Sequence, residues 1–199
     1  MPASTHFLQD IFRQPAELRR SIAFLAGAGQ AALQRAASAV RDAKNVFLTG
    51  IGASWNAALA AGTLFSVAGR PVFTQEASEL LHSTTIPQGA VVMVVSRTGR
   101  SVEIVQLLAK IRESGGSVID ITNSAEGALA KEATIPIVIP VALDHAISVN
   151  TYSSLALGAG TLATAATASF EALAPSLSRA FEETDNLMEP WNERIAASN

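Results

Sequence analysis

Short apolar runs alternate with longer mixed stretches along the 199-residue chain. The runs are rich in β-branched residues and mostly apolar on both faces, which is typical of parallel strands that helices cover on each side. We therefore predict strands at 46–48, 71–73, 91–95, 117–121 and 135–139. Helices are predicted between them, because the stretches at 54–68 and 101–114 are Ala-rich or amphipathic and each precedes a glycine.

This alternation of strands and helices predicts a doubly wound α/β sandwich around a parallel sheet of about five strands. Ligands bind such sheets at the carboxyl ends of the strands. The chain length suits one domain of ordinary size.

Both ends of the chain are predicted to be helical. Residues 7–42 should form an entry segment in which Pro15 restarts the helix, and 148–171 a long Ala-rich helix. A more charged helix at 177–195 carries an apolar stripe typical of a packing face; its members are Phe181, Leu187, Met188 and Trp191. The predicted division is a helical entry segment at 1–42, a ligand-binding domain at 43–175, and a connecting or dimer-packing helix at 176–199.

Composition narrows the class of protein. Hydrophobic residues make up 49% of the chain, and 14 basic residues are interspersed among 17 acidic ones for a net charge of -3. Because no basic face is apparent, we expect no nucleic-acid partner. The lack of Cys excludes disulfides and Cys-ligated zinc. We find no signal-peptide pattern and no apolar run of about 20 residues, so we expect no membrane association and a cytoplasmic location.

The loop at 96–101, Ser-Arg-Thr-Gly-Arg-Ser, joins the strand at 91–95 to the helix that follows. A helix amino terminus offers unpaired N–H groups and a partial positive charge, which favour an anion such as phosphate. Ser96, Thr98 and Ser101 add hydroxyl donors there, and Gly99 lets the backbone approach a ligand. The structural alternative is that Ser101 caps the helix and the other residues form a polar turn.

Two further polar loops follow neighbouring strands. Residues 50–54, Gly-Ile-Gly-Ala-Ser, place Gly52 and Ser54 at the same sheet edge, and Thr122 begins a Thr-Asn-Ser turn at 122–124. Three such loops predict a pocket. Trp55 occupies the place of the third glycine of a dinucleotide fingerprint, and the chain has no Lys-Ser/Thr pair of a nucleotide P-loop. The pocket is therefore not predicted to bind a nucleotide in either of these ways.

With these motifs in place, the chain resembles the sugar isomerase (SIS) domain family over roughly residues 7–175. The loop at 96–101, followed by Glu103, is similar to the family signature Ser-x-Ser-Gly-x-Thr-x-Glu. The segments 50–54, 76–80 and 122–123 are similar to its glycine-serine turn, Ala-Ser-Glu segment and Thr-Asn turn. Residues 12–15 resemble the entry helix of two-domain isomerases related to glucosamine-6-phosphate synthase.

The resemblance implies a flavodoxin-like fold with five parallel strands and a phosphorylated sugar as ligand. It implies that the phosphate lies among the hydroxyls of Ser54, Ser96, Thr98 and Ser101. Arg97 and Arg100 stand where many relatives have Gln and Glu, so one guanidinium could contact the phosphate or both could be ordinary surface charges. Arg97 is therefore included among the predicted phosphosugar-binding residues.

Aldose-ketose isomerisation needs a base that moves a proton between carbons and a group that helps to open the ring. Glu76, Glu79 and His82 are spaced to share one helix face, and His145 follows Asp144 in a loop after the last strand. Glu79, His145 and Glu76 are the catalytic candidates, and a structural role is the alternative for each. We expect no metal and no cofactor, because no His/Asp/Glu cluster has metal-ligand spacing.

Three functional interpretations stay open. The leading one is a phosphosugar isomerase that forms a homodimer, with an amino sugar phosphate among its candidate substrates. The second is a non-catalytic sugar-phosphate sensor, which needs the phosphate loop but no base. In the third, the 199 residues are half of a two-domain enzyme, because in the two-domain relatives the catalytic groups come largely from the second domain.

Overall fold

The computed structural model describes residues 5–145, 147–168 and 179. Its centre is a parallel five-stranded sheet with the order β2-β1-β3-β4-β5. The strands are β1 (Val46–Thr49), β2 (Phe73–Thr74), β3 (Val91–Ser96), β4 (Ser117–Thr122) and β5 (Ile135–Val138). This is the flavodoxin-like order, so the predicted fold class is confirmed.

Seven helices are found in the described part of the chain, and they cover both faces of the sheet. They are α1 (His6–Ala26), α2 (Gln30–Asp42), α3 (Ala53–Val67), α4 (Ala77–Ser83), α5 (Val102–Glu113), α6 (Ala128–Glu132) and α7 (Asn150–Thr167). One apolar core joins the sheet to α1, α2, α3 and α7. A second joins the opposite face to α4, α5 and α6.

The burial of the strands explains why the sequence signals them so clearly. Every residue of β1 and β3 is buried, since both strands lie inside the sheet with helices on each face. The edge strand β2 is exposed and pairs with β1 through Phe73 and Thr74. Pro71 cannot donate to a strand ladder, and β2 accordingly begins two residues beyond the start of the predicted run.

Helix α7 lies against the sheet through small residues. A Cβ placed on Gly158 would lie 2.2 Å from the Ile139 side chain, so the close approach at this point requires glycine. The Ala-rich character of the segment therefore reflects close packing, as the sequence suggested. Residues 169–171 of the predicted helix lie outside the described residues.

The entry segment differs from the prediction at one point. Pro15 lies inside a continuous α1 and does not restart the helix; the break comes at residues 27–29, between α1 and α2. The Gly29 N–H donates to the Phe24 carbonyl (2.7 Å), and a Cβ on Gly29 would lie 2.5 Å from the Phe24 ring. Glycine permits this tight reversal, whereas Pro15 removes only one donor from a long helix.

The predicted helix at 177–195, with its apolar stripe, lies outside the described residues apart from the exposed Arg179. Within the part of the chain that the structure covers, no helix combines the length and apolarity that crossing a bilayer requires.

The core residues Leu25 of α1 and Leu33 of α2 pack into the same cluster as the sheet.

Candidate functional site

The crevice between β1 and β3 is the point at which the strand order reverses. From β1 the chain passes to β2 on one side and then returns to β3 on the other. Helices α3 and α5 leave the carboxyl ends of these two strands on opposite faces of the sheet. Doubly wound folds bind ligands at such switch points, and the loops at 50–52 and 97–101 flank this one.

The 96–101 loop has a shape fixed by its own contacts. Ser96 ends β3 with 6% of its surface exposed, and its Oγ accepts a hydrogen bond from the Gly99 N–H (3.0 Å). Gly99 has a φ of 62° and is wedged against α6, where a Cβ would lie 2.7 Å from the Leu129 Cβ. Gly99 thus has a packing reason for being glycine in addition to the one the sequence suggested.

Helix α6 supports the loop from below. Its N-cap residue Gly127 lies so close that an added Cβ would be 2.1 Å from the Thr98 carbonyl oxygen. The Leu129 N–H donates to the Gly99 carbonyl (3.3 Å). The loop is therefore held in place before any ligand arrives.

The turn after β4 joins this loop to α7. Thr122 pairs with Ser96 across the sheet, and its Oγ1 donates to the Arg97 carbonyl (3.3 Å), which also accepts from the Asn123 N–H. The Asn123 side chain donates to the Ile139 carbonyl (3.2 Å) and to the Ser154 Oγ (3.0 Å) in α7. Thr122 is fully buried and its hydroxyl group is used to hold the loop.

Three hydroxyl groups at this edge have no partner within the described residues. They belong to Ser54 in the first turn of α3, Thr98, and Ser101. Ser101 does occupy the N-cap position of α5, but its side chain makes no capping hydrogen bond. The capping alternative accounts for its position and not for its hydroxyl group, and the first-turn N–H groups of α5 lack the side-chain acceptor that a cap supplies.

The turn after β1 brings Ser54 to the crevice. A Cβ on Gly50 would lie 2.8 Å from the Ser54 backbone, and Gly52 has a φ of 57°, so both positions favour glycine. The Gly50 carbonyl accepts a hydrogen bond from the Ala77 N–H (3.1 Å) and so fixes the start of α4. Arg97 and Arg100 are exposed and form no ion pair with any described residue.

The carboxylate candidates of α4 differ in their surroundings. Glu76 is the N-cap residue: its Oε2 accepts from the Ser78 N–H (2.8 Å) and hydroxyl, and these bonds, the hydroxyl first, hold the pKa of Glu76 below its ordinary value despite partial burial. Glu79 is exposed, and its carboxylate has no hydrogen-bond partner in the described chain. His82, near the other end of α4, lines a surface hollow with Lys110, away from the loops.

His145 lies in the loop between β5 and α7 and is bound to α1. Its Nδ1 lies 2.8 Å from Asp10 Oδ1, and its backbone N–H donates to Asp10 Oδ2 (2.8 Å). Asp10 is 1% exposed, whereas the His145 side chain is 41% exposed and stacks on His6 at 4.6 Å. Sequence reasoning missed Asp10, because nothing in the sequence connects residues 135 positions apart.

Asp144 holds the beginning of α7. Its carboxylate accepts hydrogen bonds from the N–H groups of Val149, Asn150 and Thr151 and from the Thr151 hydroxyl (2.6 Å). Burial acts to raise the pKa of Asp144, but these hydrogen bonds outweigh it and leave the pKa below its ordinary value. Asp144 therefore acts as a helix cap that also fixes the loop carrying His145.

Asp120 of β4 is fully buried and comes two residues before Thr122, the last residue of that strand. Neither of its carboxylate oxygens has a hydrogen-bond partner among the described residues, and burial raises its pKa to about 8. Val94 of β3 lies beside it in the sheet, with Thr49 of β1 beyond. The only sequence signal for this group was one Asp in an otherwise apolar run.

No group of three or more His, Asp or Glu side chains suited to a metal ion occurs in the described ranges. Polar loops thus flank a switch point of an open α/β sheet. This arrangement defines a class of small-molecule-binding α/β domains.

Comparison with known proteins gives the family. The family model of the SIS domain matches residues 39–167, so the chain belongs to the SIS domain family. A glutamine–fructose-6-phosphate aminotransferase (isomerizing) of Aeropyrum pernix is 30% identical over 135 residues, which are 65% of this chain and 21% of that protein. The chain therefore spans about a fifth of the length of this relative.

Solved structures share the fold at lower identity. One is the C-terminal domain of glucosamine-fructose-6-phosphate aminotransferase from Francisella tularensis, with a TM-score of 0.74 at 19% identity. The superposition covers 93% of this chain and 54% of the Francisella chain. Another is the Vibrio vulnificus NanR protein, complexed with ManNAc-6P, with a TM-score of 0.60 at 18% identity. The superposition covers 88% of this chain and 68% of the NanR chain.

Proposed function

We propose that this chain binds the phosphate group of a sugar phosphate at the crevice between β1 and β3. The observation that carries the proposal is a set of three hydroxyl groups without a partner in the described residues: Thr98 and Ser101 at the start of α5, and Ser54 in the first turn of α3, on the neighbouring strand's loop. Hydroxyl donors beside the unpaired N–H groups of a helix amino terminus favour a dianion. Membership of the SIS family and the ManNAc-6P complex of a neighbour support the same ligand class.

The polar residues at this edge have two proposed roles. Ser96 and Thr122 shape the loop through internal hydrogen bonds. Ser54, Thr98 and Ser101 donate hydrogen bonds to the phosphate. Arg97 adds an unpaired positive charge beside it. Since the donors are already fixed, little conformational entropy is lost when the ligand binds.

We further propose that the chain supplies an isomerase domain that interconverts an aldose and a ketose phosphate. Support comes from the relative named glutamine–fructose-6-phosphate aminotransferase (isomerizing). Glu79 and His145 remain the candidates for moving protons. Glu76 is less suited to act as a base, because its carboxylate is held by Ser78 and the pKa of Glu76 is lowered.

A non-catalytic sugar-phosphate sensor is the second candidate. The observation that favours it is the state of the α4 carboxylates: one caps the helix and the other, Glu79, is exposed with no group in the described chain to orient it. A homodimer also stays a prediction, and the apolar stripe that could serve its packing lies outside the described residues.

Titration calorimetry of Ser101→Ala with a panel of hexose, pentose and hexosamine phosphates tests the binding proposal. Loss of one hydrogen bond to a charged group should weaken binding by about 1.5–3 kcal/mol. Ser66→Ala, at an exposed serine near the far end of α3, is the matched control and should bind as the parent does. Equal affinity of Ser101→Ala and the parent would remove the basis of the proposal.

Deuterium exchange separates the isomerase from the sensor. The protein is incubated with each sugar phosphate in deuterated water, and carbon-bound deuterium is followed by NMR. An isomerase introduces deuterium at the carbon next to the carbonyl group. Tight binding without exchange on any member of the panel would favour the sensor.

A further inference from the structure

We propose that Asp10 is a positioning residue for His145 and that this pair transfers a proton at the sugar end of the ligand. The inference rests on the proposed isomerase function and adds to it a residue from α1.

The first step of the argument is the geometry of the pair. One buried carboxylate receives both the backbone N–H and the ring Nδ1 of His145, each at 2.8 Å. Two bonds from one residue to one carboxylate fix the direction of the imidazole as well as its position. A simple tether between α1 and the loop would need only one of them.

The second step is the protonation state. Arg13 donates to Asp10 Oδ1 at 2.9 Å, so the carboxylate sits between two donors. Burial acts to raise the pKa of Asp10, but the hydrogen bonds from His145 and the charge of Arg13 outweigh it and leave the pKa lowered. An ionised carboxylate can only accept, so the neutral imidazole holds its proton on Nδ1 and keeps a free lone pair on Nε2.

The third step connects the pair to the pocket. Asn123 links the Arg97 carbonyl of the 96–101 loop to Ser154 of α7. The first turn of α7 is held by Asp144, the residue before His145. His145 therefore lies at the carboxyl edge of the same sheet, on the loop between β5 and α7, and Asn123 links α7 to the 96–101 loop.

The chemistry requires a group of this kind. Six-carbon sugar phosphates are mostly cyclic, and isomerisation begins from the open chain. Nε2 of His145 takes the proton of the anomeric hydroxyl group, the carbonyl forms at the anomeric carbon, and the bond from that carbon to the ring oxygen breaks. The imidazolium then returns the proton to the ring oxygen, so no proton is gained or lost.

Glu17 provides a matched control. It is buried on the same helix, and its carboxylate accepts the Ala142 N–H (3.2 Å), so it ties α1 to the same loop without touching His145. Arg13 also lies within ion-pair distance of Glu17 (3.9 Å). If Asp10 served only to attach α1, Asp10→Asn and Glu17→Gln should behave alike.

The experiment combines nitrogen NMR of the histidine rings with kinetics of sugar-phosphate isomerisation. In the parent, His145 should show the Nδ1–H tautomer. Asp10→Asn should shift that tautomer equilibrium and lower kcat by about 10²-fold or more with KM nearly unchanged, within the range of general acid-base catalysis. Asp10→Glu should recover part of the loss, His145→Gln should match Asp10→Asn, and Glu17→Gln should keep the parent tautomer and kcat.

Three results would overturn the inference. The first is a parent that isomerises or exchanges while Asp10→Asn and His145→Gln do so at the same rate; the proposed function then stands without the pair. The second is an equal loss of kcat in Asp10→Asn and Glu17→Gln, which assigns Asp10 a structural role. The third is a parent that binds sugar phosphates and exchanges none, which removes the isomerase proposal and the role of the pair together.

Discussion

The buried carboxylate of Asp120 should make the stability of the domain fall as the pH rises. Asp120 shares a sheet face with Val118 and lies in the apolar core formed with α5 and α6. No basic side chain of the described residues donates to it, so nothing offsets the cost of ionising it there. The folded protein therefore keeps the proton over a pH range in which the unfolded chain loses it.

The magnitude follows from the two pKa values. Burial raises the pKa of Asp120 from 3.8 to about 8, and each pH unit between these values is worth about 1.4 kcal/mol. Below pH 3.8 the carboxyl is neutral in both states and costs nothing extra. The destabilisation grows from there, reaches about 4 kcal/mol at pH 7, and levels off near 6 kcal/mol above pH 8. Domain stabilities of about 5–15 kcal/mol make this a large fraction.

Urea denaturation of the parent, Asp120→Asn and Asp120→Val between about pH 5 and pH 9 measures the effect. The amide of Asp120→Asn also lacks partners, which costs about 1–3 kcal/mol, but that cost does not depend on pH. The free energy of unfolding of each variant minus that of the parent should therefore rise by about 1.4 kcal/mol per pH unit up to pH 8. Stability curves that run parallel over this range would refute the reasoning, because they would show that Asp120 does not titrate differently in the folded state.

Two further variants test the 96–101 loop. Gly127→Ala would place a methyl group 2.1 Å from a carbonyl oxygen of the loop, so we expect a loss of about 1–3 kcal/mol in stability and weaker sugar-phosphate binding by calorimetry. The control Gly160→Ala meets only a flexible side chain at 3.3 Å. Arg97→Gln with Arg100→Gln should weaken binding several-fold at low salt and much less at about 1 M, where charges are screened. The same change at the exposed Arg35 of α2 should leave the salt dependence of binding unaltered.

The sheet could be predicted from the sequence because its inner strands are buried on both faces. The runs that become β1 and β3 have no polar position before their last residue, and no other common element combines that pattern with such short length. The entry helix was predicted less well. Proline is a helix breaker by propensity, but α1 continues through Pro15. Asp10 and Glu17 accept hydrogen bonds from the loop before α7, and these tertiary contacts hold the helix in place.

The candidate site was predictable where its residues are close in sequence. The loop at 96–101 contains a glycine and three hydroxyl residues and directly follows a strand, and this local pattern alone predicts an anion-binding turn. The support from α6 and the bond between His145 and Asp10 were not predictable, because each joins segments separated by intervening elements. The sequence shows Asp120 as one acidic residue in an apolar run, but only the packed core shows that its carboxylate has no hydrogen-bond partner among the described residues.

The polar residues at the carboxyl edge fall into two sets, and the division bears on what an isolated chain can do. Ser96, Thr122 and Asn123 form hydrogen bonds that hold the 96–101 loop and join it to α7, whereas no partner of the Ser54 and Ser101 hydroxyl groups is found within the described residues. A loop that is already held by its neighbours needs no ligand to order it, so binding should persist without any further part of a longer enzyme. Catalysis is more demanding, since it also requires a positioned proton carrier. Under our proposal that carrier is His145, which the buried carboxylate of Asp10 in α1 orients, so we expect the Asp10 and His145 variants, and not those of the 96–101 loop, to separate an enzyme from a sensor.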